Sequence, residues 1–155
     1  MAKSSPLPSV NARQRVLTQR RNTKMAASAH AYVRGSTVQF YKWLAEGSDH
    51  VPKGPPVWIC GDCHVGNLGP LADSTGKIHV QIRDLDQTVI GNPNHDLIRL
   101  ALSLTSAARG SDLPGVTTAH MLENMMHGYE RALLASARTS TVPETSHRRE
   151  SKGQK

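Results

Sequence analysis

The chain has 155 residues, of which 37% are hydrophobic and only 4% aromatic, with a formal net charge of +7. That length suits one domain, and the lean apolar content means a thin core resting on Leu, Val, Ile, Met and Ala. No apolar run approaches membrane-spanning length, and no apolar segment follows the first charges as a signal peptide requires, so a cytoplasmic chain without a membrane partner is expected.

The positive charge is concentrated at the ends. Arg13, Arg15, Arg20, Arg21 and Lys24 crowd the start, and Arg138, Arg148, Arg149, Lys152 and Lys155 crowd the end. Basic side chains interleaved with exposed aromatics would indicate a nucleic-acid groove. That pattern is missing, so the charge reads as solvated and nucleic acid is not the expected partner.

Residues 1–11 are rich in Ser and Pro and read as disordered. Arg13 to Ala31 is compatible with a helix, with Val16, Leu17, Met25, Ala26 and Ala29 as its few apolar positions. Arg34-Gly35-Ser36 interrupts it, and Thr37 to Glu46 reads as a second helix. Gly47 to Pro56 is a polar loop rich in Pro and Gly.

Val57 to Cys60 is a short apolar run with strand character, ended by Gly61. Leu68 to Ala72 and Lys77 to Ile82 are extended runs joined by Asp73-Ser74-Thr75-Gly76, a hairpin signature. Asn94 can cap a helix from His95 to Arg109, which carries Leu97, Leu100, Ala101, Leu104 and Ala108 at helical spacing. A further helix runs from about Thr118 to Ala137, its Met residues serving as core filler. Residues 139–155 are polar and read as a disordered tail, which leaves 12–138 as the folded part.

Two cysteines, Cys60 and Cys63, form C-x-x-C. A structural zinc site takes about four ligands. No second pair exists, although His64, His79 and His95 could complete a set. Coincidence outweighs redox or zinc chemistry here.

Chemistry concentrates in Gly61-Asp62-Cys63-His64-Val65-Gly66-Asn67 and Ile82-Arg83-Asp84-Leu85-Asp86. Each acidic group follows a short apolar strand, where a rigid scaffold can aim it into a cleft. Phosphoryl transfer needs one carboxylate to orient the attacking hydroxyl, and magnesium held by hard oxygen ligands. In protein kinases an Asn five residues after the catalytic Asp, and an Asp on the following strand-loop, hold that metal. Asp62 and Asn67 have this five-residue separation, and Asp84 follows the hairpin. Singly, each side chain is better explained as a turn, cap or solvated residue; jointly they favour a site.

Cys60 to Asn67 resembles the His-Gly-Asp-x-x-x-x-Asn loop of aminoglycoside and choline phosphotransferases. Ile82 to Asp86 resembles their Ile-Asp-Phe-Asp strand end. Gly91-Asn92-Pro93 with Asp96-Leu97 resembles the opening of their next helix. A closer resemblance is to the bacterial family called domain of unknown function 2252. It rests on Lys24-Met25-Ala26-Ala27-Ser28 with Arg34-Gly35, Gly61 to Gly69, Asp84-Leu85-Asp86 and Asp96 to Leu100, in that order.

The resemblance implies an α+β, kinase-like catalytic-lobe fragment. A short strand and a β-hairpin would carry the site and pack against about four helices, two before and two after. It implies Asp62 as catalytic base, with His64 orienting Asp62 or touching phosphate, or serving only as a turn residue. Asn67 and Asp84 would be metal ligands, with Asp86 a further ligand or a group just behind them. Arg34 would contact phosphate, since a guanidinium fork suits that geometry, or pair with a carboxylate. Asp96 would cap its helix or tie it to the loop, and Arg99 would make a structural ion pair. Magnesium is the implied cofactor, with ATP or another nucleotide alongside it, and a small molecule is the acceptor.

Two departures stand out. Cys60 occupies the position where phosphotransferases carry His, and no Gly-rich phosphate loop or strand Lys is visible. A truncated chain is therefore expected, needing a further C-terminal region or a partner chain. Three functions remain open: a magnesium-dependent phosphotransferase, a non-catalytic fragment or pseudo-enzyme that binds a partner, and a metal-dependent hydrolase using Asp62, His64, Asp84 and Asp86.

Overall fold

A computed structural model describes residues 9–139. Within them five helices and four short strands follow one another: α1 (Val10–Met25), α2 (Ala29–Gly35), α3 (Thr37–Glu46), β1 (Val57–Ile59), β2 (Leu68–Ala72), β3 (Ile78–Ile82), β4 (Val89–Gly91), α4 (Pro93–Gly110) and α5 (Gly115–Thr139). The class is α+β. The expectations for residues 1–8 and 140–155 fall outside the described residues.

Five helices replace the expected four because the first helical stretch is split. The chain leaves α1 after Met25, and Ser28 adopts an extended backbone whose hydroxyl accepts from the Ala31 amide at 3.0 Å. A Ser cap of this kind starts a new helix. The next helix, Thr37–Glu46, has the expected bounds.

The hairpin β2–β3 pairs antiparallel from Leu68↔Ile82 to Ala72↔Ile78. Its turn is held by Asp73, whose Oδ1 accepts from the Thr75 amide at 2.9 Å, the Thr75 hydroxyl at 2.6 Å and the Lys77 amide at 3.0 Å. Gly76 supplies the left-handed backbone there, with φ of 83°. A second ribbon pairs β1 with β4, Trp58 opposite Ile90. Strand β4 has three residues, too few for a period-two pattern to stand out.

Helix α4 is capped by Asn92 rather than Asn94; the Asn92 side chain accepts from the Asn94 amide at 3.0 Å, with Pro93 in the first turn. The apolar core is small: Phe40, Leu44 and Val51, with Tyr41 and Ile98 against them. The most deeply buried large side chains are polar. Arg99 is 1% exposed and Ser103 fully buried. Helix α4 therefore turns a polar stripe inward beside its apolar one, and that stripe organises the site. Among the described residues no helix is long and apolar enough to cross a membrane.

Candidate functional site

Residues 96, 99 and 103 recur at steps of three and four, so they share one face of α4. Each of them grips the loop that follows β1. The Asp96 carboxylate accepts from the Cys60 amide at 2.6 Å and from the Gly61 amide at 3.1 Å. The Arg99 guanidinium donates to Asp62 Oδ1 from Nε at 2.9 Å and from Nη2 at 2.6 Å. Ser103 Oγ accepts from the Val65 amide at 3.1 Å. Asp96 thus ties its helix to the loop, and Arg99 makes a buried ion pair.

Helix α3 braces the same loop from another side. Thr37 Oγ1 donates to Asp62 Oδ1 at 2.8 Å and accepts from Arg99 Nη2 at 2.6 Å. One turn on, the Tyr41 hydroxyl donates to the Gly61 carbonyl at 2.8 Å. Burial pushes the Tyr41 hydroxyl up to about 12, with the nearby Asp96 charge adding to the rise, so it stays a protonated donor. Gly61 has a φ of 78°, and a Cβ there would collide with the Gln87 carbonyl oxygen. Only glycine permits both the left-handed backbone and that approach.

Asp62 is consequently held by one oxygen. Oδ1 takes three hydrogen bonds, and Oδ2 lies 3.7 Å from His64 Nε2. The Asp62 side chain keeps 18% of its exposure, whereas that of His64 keeps 4%. Burial lowers the His64 pKa, against the raising effect of Asp62 and with the help of Arg99, Arg34 and His30. His64 Nδ1 is buried without a hydrogen-bond partner.

Asn67 closes a single 3-10 turn, Val65–Asn67. Its Nδ2 donates to the Asp62 carbonyl at 3.0 Å, which leaves the amide oxygen without a donor among the described residues. The Asn67 carbonyl accepts from the Arg83 amide at 2.8 Å, extending the hairpin ladder. That bond brings Asn67 beside the strand end that carries Asp84. Asp84 and Asp86 are exposed. The Asp86 amide donates to Asp84 Oδ1 at 3.3 Å, and Cys60 Sγ lies 3.7 Å from the Asp84 carbonyl. The Asp86 carboxyl is raised above its ordinary value, mainly by sharing a hydrogen bond with Asp84 and by its charge, and slightly by Asp62.

Among the described residues no group of three His, Cys, Asp or Glu side chains could hold a metal ion. A cation here would draw on the Asp84–Asp86 pair, the Asn67 amide oxygen and non-protein oxygens. That donor set suits magnesium, which uses one or two carboxylates and keeps water or phosphate for the rest. It does not suit zinc, which takes N and S ligands in a closed set. Cys60 and Cys63 are buried free thiols. Burial pushes Cys63 up to about 12, and Cys60 is raised for the same reason. Neither is a thiolate at neutral pH, so C-x-x-C here is a packing feature.

Arg34, in the last turn of α2, is exposed and forms no ion pair among the described residues. Its Cδ lies 3.9 Å from where a Cβ on Gly66 would sit. On the α3 side of the loop an open groove of about 590 Å³ is lined by residues including Thr37, Tyr41, Lys42, Gly61 and Gln87.

Sequence reasoning named Asp62, His64, Asn67, Asp84, Asp86 and Arg34, and it missed Thr37, Tyr41 and Ser103. The signal for Ser103 was its place four residues after Arg99 and seven after Asp96, on a stripe hidden by attention to the apolar positions. Thr37 and Tyr41 carry a weaker one, since a Thr and a Tyr four residues apart occur on many helix faces.

No curated protein and no solved structure matches the chain. A bacterial protein family does match residues 13–154, well past the end of α5. By that match the chain belongs to domain of unknown function 2252, the uncharacterised proteins conserved in bacteria.

Proposed function

We propose that the chain carries the catalytic loop of a kinase-like phosphotransferase, which moves a phosphoryl group with magnesium onto a hydroxyl of a small acceptor. The observation that carries this reading is the division of labour within Asp62. Its Oδ1 is clamped by Arg99 and Thr37, while Oδ2 takes no hydrogen bond among the described residues and has only the His64 imidazole, 3.7 Å away, beside it on a partly exposed side chain. A carboxylate fixed by one oxygen can orient a hydroxyl with the other at no further ordering cost.

The surrounding donors support the same reading. Asn67, Asp84 and Asp86 would hold the cation, which would neutralise charge on the transferred group. Asn67 is hydrogen-bonded through its amide nitrogen so that its oxygen is spare. Asp86 is raised by its acidic neighbour, a mutual repulsion that a bound cation would relieve. The groove beside Gly61 and Thr37 is large enough for a small acceptor, with Lys42 on its wall.

Magnesium with ATP should raise the melting temperature of the full chain, because a ligand that binds only the folded state stabilises it. Asp84→Ala should abolish that shift. No shift with any nucleotide defeats the proposal.

A second reading, a non-catalytic binding module, draws on a different observation. Trp58 and Ile90 on one ribbon, Ile78 and Val80 on the other, and Leu133 and Leu134 on α5 are all more than half exposed. Apolar surface of that extent suits a chain that packs on something further. Under this reading a hydrophobic dye binds strongly and nucleotide has no effect.

A further inference from the structure

We infer that the groove beside Gly61 takes a small carboxylic acid, with an apolar or aromatic body, a hydroxyl at one end and a single carboxylate at the other. This rests on the phosphotransferase reading in one respect, that the hydroxyl is the acceptor. The charge and shape of the ligand come from the groove itself.

The first observation is the walls. The groove of about 590 Å³ runs along the face of α3 that carries Thr37, Val38, Tyr41 and Ala45, and Gly61, Gln87 and Val89 complete it. Val38 is 64% exposed and Val89 50%. Branched apolar side chains left open in a concave site favour a ligand body of the same kind. The hydroxyls of Thr37 and Tyr41 are already committed, to Asp62 and to the Gly61 carbonyl.

The second observation is charge. Lys42 is the one formally charged residue lining the groove, and no acidic side chain joins it. Asp86 precedes Gln87 in the chain but does not line the groove, and Asp62, beyond Thr37, is neutralised by Arg99. Lys42 is exposed and forms no ion pair among the described residues. An unpaired ammonium on an apolar wall favours a carboxylate and repels an amine. Aminoglycosides are polyamines and choline is a quaternary ammonium ion, so the groove has the wrong sign of charge for either. It also lacks an aromatic cage for a cation, since Tyr41 is the one ring lining it.

The third observation is reach. Thr37 donates to Asp62 Oδ1 at 2.8 Å, which marks the end of the groove next to that carboxylate. Lys42 lies five residues further along α3, an advance of about 7.5 Å at roughly 1.5 Å per residue. One benzene ring with para substituents spans from a hydroxyl at the Asp62 end to a carboxylate at Lys42. In the transfer this implies, the hydroxyl oxygen bonds to the γ-phosphorus of a nucleoside triphosphate. Its proton passes to Asp62, and the bond from that phosphorus to the departing nucleoside diphosphate breaks.

The test uses the full chain and three probes of one shape: para-hydroxymethylbenzoate, the neutral para-hydroxymethylbenzamide and the cationic para-hydroxymethylbenzylamine. Backbone amide shifts are followed by NMR in a buffer free of magnesium and nucleotide. The benzoate should move Val38, Lys42, Gly61 and Val89 and bind several-fold more tightly than the benzamide, a modest factor because the ammonium is exposed. The benzylamine should bind most weakly. Lys42→Gln should remove the benzoate's advantage and leave the affinity for the benzamide unchanged. Shifts that begin elsewhere, a benzylamine that binds as well as the benzoate, or an advantage that survives Lys42→Gln overturns the inference. A chain that binds the benzoate but is not stabilised by magnesium and ATP keeps this ligand class and loses the phosphotransferase reading. A chain that they stabilise but that ignores the benzoate keeps that reading and loses this inference.

Discussion

Arg99 and Asp62 meet through a single carboxylate oxygen, with Arg99 Nε at 2.9 Å and Nη2 at 2.6 Å from Oδ1. The guanidinium is 1% exposed and also donates to the Val33 carbonyl at 3.2 Å and to Thr37 Oγ1 at 2.6 Å. It lies 5.3 Å from the centre of the Phe40 ring, so it is packed as well as paired. The pair links α2, α3, α4 and the loop at one point.

Removing Asp62 leaves the Arg99 guanidinium buried without its carboxylate, and removing Arg99 leaves the part-buried Asp62 without its counter-charge. Arg99→Met should cost roughly 3–5 kcal/mol in chemical denaturation. Arg99→Lys should recover little of it, because a point charge cannot reproduce the fork that serves Asp62, Thr37 and Val33 together. A double-mutant cycle with Asp62→Asn should give a coupling energy well above that of a surface pair.

The remaining ties from α4 to the loop are testable one at a time. Ser103→Ala removes the acceptor for the part-buried Val65 amide and should cost about 1–3 kcal/mol. Asp96→Asn leaves one oxygen where two amides need acceptors. Hydrogen exchange at Cys60 and Gly61 should then rise, while amides in the middle of α5 stay protected to the same degree.

The Asp84–Asp86 pair predicts a pH dependence with a definite sign. The folded-state pKa of Asp86 is raised, mainly through Asp84. Between the ordinary carboxylate value and the raised one, the folded chain binds more protons than the unfolded chain. Stability therefore falls as pH rises through that window. Asp84→Asn should return the Asp86 titration, followed by carboxyl NMR, toward its ordinary value and flatten this dependence. Functional acidic pairs often carry such a cost.

The two thiols should be inert in the folded chain. Cys60 and Cys63 are each 5% exposed and are raised by burial. A thiol reagent at pH 8 should label neither until denaturant is added. Rapid labelling of either in the native state would revive a redox or metal reading of C-x-x-C.

The segment from Gly61 to Asp84 was legible as a unit because its marks are local. Gly61, Asp62, Asn67 and Asp84 lie within a stretch whose strand ends and hairpin turn are marked by Gly and Asp, so spacing alone grouped them. The hairpin was legible for the same reason, since Asp73 and Gly76 meet its turn requirements directly. What holds the loop was not legible in the same way. The Arg99–Asp62 bond spans 37 residues, and the Ser103–Val65 bond spans 38. Nothing in a helical pattern says which polar side chain will face inward. The three-residue β4 and the break before Ser28 were missed because each rests on a few backbone hydrogen bonds rather than on an apolar period. At the Cys60 position, read as a departure from the phosphotransferase pattern, the Cys60 amide is held by Asp96 and the Gly61 carbonyl by the Tyr41 hydroxyl, both contributed from distant helices.

The account turns on Asn67, Asp84 and Asp86 sharing one divalent cation beside Asp62. Manganese titrated into the full chain, with paramagnetic broadening followed residue by residue, tests that directly. The Asn67 side-chain amide and the backbone of Asp84 and Asp86 should broaden first and together at substoichiometric metal, and Asp84→Ala should remove the effect. Broadening that begins elsewhere, or that spares Asn67 while affecting Asp84, would contradict it.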